Sequence, residues 1–118
     1  MPRLRPGTNQ IVFVSNRTGN YELFLMDWGG GNLLQITAHP AYDSQPAWSP
    51  DGSRLAFVSD RDGNLEIYTM NADGSAVTRL TYDGMDDFNP YWSPNGSQVI
   101  WVRAINQQFG AIFMMDAN

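Results

Sequence analysis

The chain has 118 residues, with 12 acidic and 7 basic side chains and a net charge of −5, and every basic residue is an arginine. That length suits one domain, and an acidic chain without a lysine cluster argues against nucleic acid or an anionic membrane as partner. No cysteine is present, which excludes disulfides and thiolate metal sites.

The sequence then repeats itself every 44 residues: Ile11 to Pro50 lies over Leu55 to Pro94 without a gap, and 15 of those 40 positions are identical. Phe13/Phe57, Ser15/Ser59, Gly19/Gly63, Met26/Met70, Thr37/Thr81, Pro46/Pro90 and Trp48/Trp92 are among the matches. A period of this size means stacked units that cannot bury their apolar faces alone. In chain order the first copy opens on Pro2-Arg3-Leu4-Arg5-Pro6, a degraded form of Pro46-Ala47-Trp48-Ser49-Pro50 with leucine in place of tryptophan. Met1 to Thr8 is too short and too polar for a leader peptide, and no apolar run is long enough to span a bilayer. The chain as it stands reads as soluble.

The middle copy predicts four short strands. Gln45 to Ser49 is followed by a Pro50-Asp51-Gly52-Ser53 turn, where proline presets one φ and glycine permits a positive one. Arg54 to Asp60 is apolar at Leu55, Ala56, Phe57 and Val58, the pattern of a strand covered on both faces. Arg61-Asp62-Gly63-Asn64 turns into Leu65 to Asn71, and Ala72-Asp73-Gly74-Ser75 turns into a more polar fourth strand, Ala76 to Thr81. Helical periodicity is absent, and Gly and Pro punctuate the chain too often for helices. The third copy replaces the second turn with Ala104 to Phe109, gains one residue and lacks a fourth strand before Asn118. Four meandering antiparallel strands in a unit of this length describe a propeller blade.

Pro46-Ala47-Trp48-Ser49-Pro50-Asp51-Gly52-Ser53 and Ser59-Asp60-Arg61-Asp62-Gly63-Asn64 resemble the opening and the hairpin of the TolB-like, WD-repeat-like β-propeller repeat. The resemblance implies an all-β propeller, usually six-bladed, whose relatives mostly bind proteins, in a periplasmic or cytoplasmic setting. It does not imply a catalytic residue, since the repeat motif carries none in this family, and no cofactor is expected. The same blades occur as accessory domains on peptidases. On this reading the chain is one partial propeller: blade 1 about 2–44, blade 2 about 45–88 and a truncated blade 3 about 89–118. About 2.75 blades leave an apolar flank at each end, so identical chains are expected to close a ring. A homodimer of about six blades is favoured over a trimer, with a fragment of a larger enzyme as the rival.

The candidate contact residues lie on the loops that return to the innermost strand: Tyr42, Asp43, Met85, Asp86, Asp87 and Phe88. Loops on a rigid scaffold carry recognition, and their carboxylates would form an acidic collar for a cation or a basic peptide. The competing role for Asp43 and Asp87 is to cap the strand start by accepting backbone N–H bonds. Arg17 with Glu22, and Arg61 with Glu66, recur five apart and are expected to form structural ion pairs. Asp60 to Glu66 looks superficially like a calcium loop, but hairpin chemistry explains it, and no metal is expected. Trp48 and Trp92 are expected to pack between blades, and burial is also expected for Trp28 and Trp101. Exposure of those last two would instead fit a small-ligand or carbohydrate binder. His39, Ser44 and Asp43 share one loop without a nucleophile elbow, so catalysis is not expected.

Overall fold

The computed structural model describes residues 2–118, and its elements are all strands. The first sheet is β1 (Arg3–Leu4), β2 (Gln10–Ser15), β3 (Glu22–Asp27) and β4 (Leu34–Gln35). The second is β5 (Asp43–Trp48), β6 (Arg54–Ser59), β7 (Glu66–Asn71) and β8 (Thr78–Arg79). The third is β9 (Asp87–Trp92), β10 (Gln98–Ala104) and β11 (Gly110–Asp116). Within each sheet consecutive strands pair antiparallel.

Tight turns dictated by glycine join the strands. Gly52 N–H and Gly96 N–H each donate 2.9 Å back to a serine carbonyl, Ser49 and Ser93, at φ of 72° and 73°. An L side chain is disfavoured at such angles. The Asp51 carboxylate closes the first of these turns by accepting from Ser49 Oγ at 2.7 Å and from Ser53 N at 3.0 Å. Asn95 Oδ1 does the same work in the third sheet, accepting from Ser93 Oγ at 2.8 Å and Ser97 N at 3.0 Å.

The core lies between the sheets. One seam joins Val12, Leu23, Leu25 and Ile36 of the first sheet to Leu55, Phe57, Tyr68 and Met70 of the second. The other joins Ala56, Val58 and Ile67 of the second to Val99, Trp101 and Ala117 of the third. Alternate residues of β6 thus feed opposite seams, which is why Leu55 to Ser59 is buried without a break. The indoles lock the same seams: Trp48 Nε1 donates to Arg3 O at 3.2 Å and Trp92 Nε1 to Ala47 O at 2.9 Å.

Three expectations change. The innermost strands begin two residues early, at Asp43 and Asp87, so both aspartates belong to strands rather than loops. The fourth strand shrinks from Ala76–Thr81 to Thr78–Arg79 because Ala76 adopts φ 56° and Thr81 leaves the ladder. Thr81 Oγ1 then takes the place of a strand carbonyl, accepting from Ile67 N at 2.9 Å. Trp28 is 73% exposed, whereas Trp101 is buried against Phe113. The burial expected for Trp28 is therefore wrong, and a surface ligand role for Trp101 is excluded.

Two outcomes follow from the turns. A Cβ at Gly52 would sit 2.7 Å from Pro6 O of the neighbouring sheet, whereas at Gly96 the nearest atom is Pro50 Cδ at 3.5 Å. Gly96→Ala should cost about 1 kcal/mol for its φ alone, and Gly52→Ala clearly more, as read by denaturant unfolding; equal losses would mean that the Gly52 seam yields. Ser49, then Ser53, hold the Asp51 carboxyl down to about 2. A carboxylate depressed on folding stabilises above its ordinary range and loses that effect as pH falls through the lower value. The gap in Tm between wild type and Asp51→Asn should therefore be widest near neutral pH and close as pH drops from about 4 towards 2.

Candidate functional site

The innermost strands β5 and β9 open with the repeated aspartates, and the fold turns both inward. Asp43 is 0% exposed and accepts from Arg61 Nη2 at 3.0 and 3.1 Å. Burial pushes its carboxyl above the ordinary value, while Ser59 and then Arg61 pull it back. Asp87 is equally buried and accepts from Arg103 Nε at 2.8 Å and Nη2 at 2.9 Å. Arg103 stands one position beyond Val102 on β10, where the other copies carry Ser15 and Ser59. The third repeat thus keeps the buried carboxylate–guanidinium pair while drawing the guanidinium from a different residue. The expected collar loses its two repeated members, Asp43 and Asp87, because a carboxylate paired inside a sheet cannot meet a partner, and keeps only Asp86 exposed.

Backbone bonds to the preceding sheet fix the same positions. Asp43 N donates to Tyr21 O at 3.0 Å and Asp87 N to Leu65 O at 2.7 Å.

The pairs expected five residues apart do not form. Glu66 pairs with Arg79 at 3.0 Å, not Arg61, and also accepts from Thr81 Oγ1. Glu22 accepts from Thr37 Oγ1, from Asn20 Nδ2 at 2.9 Å and from His39 N at 2.9 Å. Both glutamates are buried and organise the return loop rather than the hairpin. Asn20 Nδ2 also bonds His39 O and Ala41 O, and Asn64 Nδ2 bonds Asp83 O and Met85 O. A glutamate, a threonine and an asparagine therefore clamp each return loop at repeated positions.

Asp60, Asp62 and Asn64 are engaged in these braces: Asp60 Oδ1 accepts from Tyr42 N at 2.8 Å, and Asp62 accepts from Tyr68 Oη. Burial, then the Asp62 bond, push the Tyr68 phenol upward. The carboxylates of Glu66, Asp83 and Asp87 converge with ligand atoms within 4.8 Å of one another. Arg103 bonds Asp83 and Asp87, and Arg79 bonds Glu66, so guanidinium groups already answer that charge. His39 Nδ1 accepts from Ala41 N at 3.2 Å, while Asp43 is committed to Arg61. His39, Ser44 and Asp43 form no hydrogen-bonded relay.

What faces solvent at the mouth is different and more aromatic. A cavity of about 370 Å³ opens among the innermost strands, lined by Tyr21, Tyr42, Gln45, Asn89 and Tyr91. Gln45 and Asn89 hold left-handed φ values of 52° and 53° at equivalent repeat positions, where β5 and β9 lose register with their neighbours. The kink joins adjacent sheets, since Asn89 N donates to Gln45 Oε1 at 2.6 Å. Ser44 also lines the cavity, and its buried hydroxyl has no hydrogen-bond partner. Of the six expected contact residues, Tyr42, Met85 and Asp86 are exposed. Phe88 is half-buried against the second seam, and Asp86 Oδ1 accepts from Leu65 N at 3.0 Å. Tyr21, Gln45, Asn89 and Tyr91 were missed; the amide side chains of Gln45 and Asn89 at equivalent repeat positions are a signal that could have found those two.

The TolB beta propeller domain family matches residues 1–118. The chain belongs to that family. A TolB homolog of Chlorobaculum tepidum is 49% identical over 43 residues, covering 36% of this chain and 10% of the relative. The structure assigned as TolB from Agrobacterium tumefaciens superposes with a TM-score of 0.82 at 27% identity, covering 92% of this chain and 42% of that one. Puromycin hydrolase shares the fold, with a TM-score of 0.75 at 20% identity over 98% of this chain and 20% of its own. The chain matches only about a tenth of the length of such curated relatives.

The buried pair generates a direct expectation. Arg61→Met keeps an apolar stem over Phe57 and Tyr68 but strands the Asp43 charge. It should cost about 3–5 kcal/mol, and adding Asp43→Asn should recover a measurable part. A double variant no more stable than Arg61→Met in urea unfolding would show that the pair is not coupled.

Proposed function

We propose that this protein is a non-enzymatic TolB-type scaffold that assembles from identical chains and presents the aromatic mouth to a protein or peptide. The observation that carries the assembly is register. The two internal seams join one type of sheet face to one other type, and the flanking sheets carry one face of each type. That face is open on the third sheet and partly covered on the first, where Phe24 is 3% exposed and Phe13 and Met26 are half-buried. On the third sheet, Ile100, Val102, Ile112 and Met114 occupy the places that Val12, Val14, Leu23 and Leu25 hold in the first seam. Ile112 is 78% exposed and Met114 57%. On the first sheet, Leu4, Phe13, Phe24 and Met26 stand where Trp48, Phe57, Tyr68 and Met70 complete that seam. Leu4 is 56% exposed.

A head-to-tail contact between copies would repeat an interface the fold already makes twice. Two copies would give about six sheets, within the usual propeller range of roughly 4–8. Three would give eight to nine, which makes the dimer the better closure. The mouth would then contain two sets of Tyr21, Tyr42 and Tyr91, and aromatic residues with a polar end suit peptide contacts.

A second reading is a segment of the propeller of a larger protein, such as a peptidase. It draws support from the small share of each relative that the chain matches. Absolute mass by light scattering separates the two readings. The scaffold reading expects twice the 13.2 kDa chain mass, lost in Ile112→Glu. A monodisperse single-chain species that melts cooperatively would contradict it, and a heterogeneous aggregate would support the segment.

A further inference from the structure

One turn recurs in the second and third sheets with a single chemical difference. It reads Ser49-Pro50-Asp51-Gly52-Ser53 in the second and Ser93-Pro94-Asn95-Gly96-Ser97 in the third. Asp51 Oδ1 accepts from Ser49 Oγ at 2.7 Å, Ser53 N at 3.0 Å and Ser53 Oγ at 2.8 Å. Asn95 Oδ1 accepts from Ser93 Oγ at 2.8 Å, Ser97 N at 3.0 Å and Ser97 Oγ at 2.8 Å. An amide thus stands on the same three donors that hold a carboxylate in the matching turn. Asn95-Gly96 is also the one Asn-Gly pair of the sequence. Glycine has no Cβ, so its nitrogen can approach the preceding side chain closely.

The neighbours of the two turns differ as well. A Cβ at Gly52 would meet Pro6 O at 2.7 Å and Arg5 Cγ at 3.3 Å, and Arg5 Nε donates to Gly52 O at 2.8 Å, so the adjoining sheet wedges that turn shut. Beside Gly96 the nearest atom is Pro50 Cδ at 3.5 Å. Ser49 occupies the repeat position of Arg5 there, and a cavity of about 140 Å³ lies between the turns, with Asp51, Arg54, Trp92 and Asn95 in its wall. The third turn therefore has room to open. Asn95 is exposed, and among the described residues its Nδ2 donates to no partner. While the turn is closed, Gly96 N donates to Ser93 O at 2.9 Å and three donors fix Asn95 Oδ1, so the glycine nitrogen reaches the amide carbon only after opening.

We propose that Asn95 is a modification site, where opening of the turn permits deamidation by water to aspartate and closing of the turn retains the product. Gly96 N attacks Asn95 Cγ. The N–Cγ bond forms, the Cγ–Nδ2 bond breaks, and Nδ2 leaves as ammonia with the proton that Gly96 N gives up. Water then adds to Cγ of the cyclic imide and breaks the new bond, leaving an aspartate carboxylate and restoring the Gly96 N–H. Addition of water at the Asn95 main-chain carbonyl gives isoaspartate instead, which routes the main chain through the side chain and displaces Gly96 N from Ser93 O. Aspartate fits the closed turn, as Asp51 does, and accepts the same three bonds with charge assistance. Ser49, then Ser53, hold the Asp51 carboxyl down to about 2, and Ser93 and Ser97 are placed to do the same at position 95. The turn opens as an amide and closes tighter as a carboxylate. It lies at the end of β9 away from the return loops, so it is independent of the mouth.

The test incubates the full chain at slightly alkaline pH, native and in urea, and follows Asn95 by peptide mapping and mass spectrometry, with chromatography separating aspartate from isoaspartate. In the native chain Asn95 is expected to convert ahead of every other asparagine, more slowly than in urea and with a larger share of aspartate. Ser97→Ala removes one donor to Oδ1 and should raise the native rate by roughly three- to tenfold while leaving the rate in urea unchanged. Asn95→Asp, which installs the product directly, should melt higher than wild type at neutral pH, with the gain closing as pH falls below about 4. Four results would each overturn the proposal: a native Asn95 that stays intact, a native product with the same aspartate share as in urea, a native rate unmoved by Ser97→Ala, or an Asn95→Asp chain that melts no higher.

Discussion

The seam between neighbouring sheets is the contact on which everything else in this molecule depends. Each sheet has only three or four short strands, and an isolated meander of that size buries too little apolar surface to persist in water. β6 shows the solution: Leu55 and Phe57 enter one seam, Ala56 and Val58 the other, and no residue from Leu55 to Ser59 reaches solvent. The third sheet has such cover on one side only, as Ile112 and Met114 show, whereas on the first sheet Leu4 is exposed but Phe24 lies buried beneath Arg17. The association proposed above rests on the repeat itself, because the same two kinds of surface that meet inside the chain lie at its two flanks.

Polar groups do the complementary work of holding the sheets in register. Asp43 and Asp87 start the innermost strands from inside the protein, each satisfied by a guanidinium and each tied by its N–H to the preceding sheet. Glu22 and Glu66 clamp the return loops through threonine and asparagine. A buried, fully paired carboxylate specifies geometry more than it adds stability. With those charges inward, the mouth is left to tyrosines and to the kinked pair Gln45 and Asn89.

Much of the architecture is legible in the sequence because short-range chemistry fixes it. The Pro-Asp-Gly-Ser turn, the Arg-Asp-Gly-Asn hairpin and the apolar run from Leu55 to Val58 each determine their own local structure. Repetition then supplies the stacking. Partner choice was less legible. Arg17 with Glu22, and Arg61 with Glu66, recur together, yet recurrence reports shared environment and not mutual contact. Arg61 reaches across the sheet to Asp43, and Glu66 reaches Arg79, because antiparallel pairing brings residues 13 to 18 apart closer than those five apart. Arg103 was invisible for a related reason: it answers Asp87 from a position where the other copies carry serine. Gln45 gives no warning of its left-handed φ, whereas Asn89 belongs to a residue type that visits that region.

A sheet of this molecule needs a neighbour on each face, and identical chains are proposed to provide the missing ones. Amide hydrogen exchange, resolved strand by strand, tests this most directly. If each sheet is covered on both faces, the amides of β2–β3 and β10–β11 will exchange as slowly as those of β6–β7. Protection confined to β6–β7, with the outer sheets opening orders of magnitude faster, would show that nothing closes over the flanks.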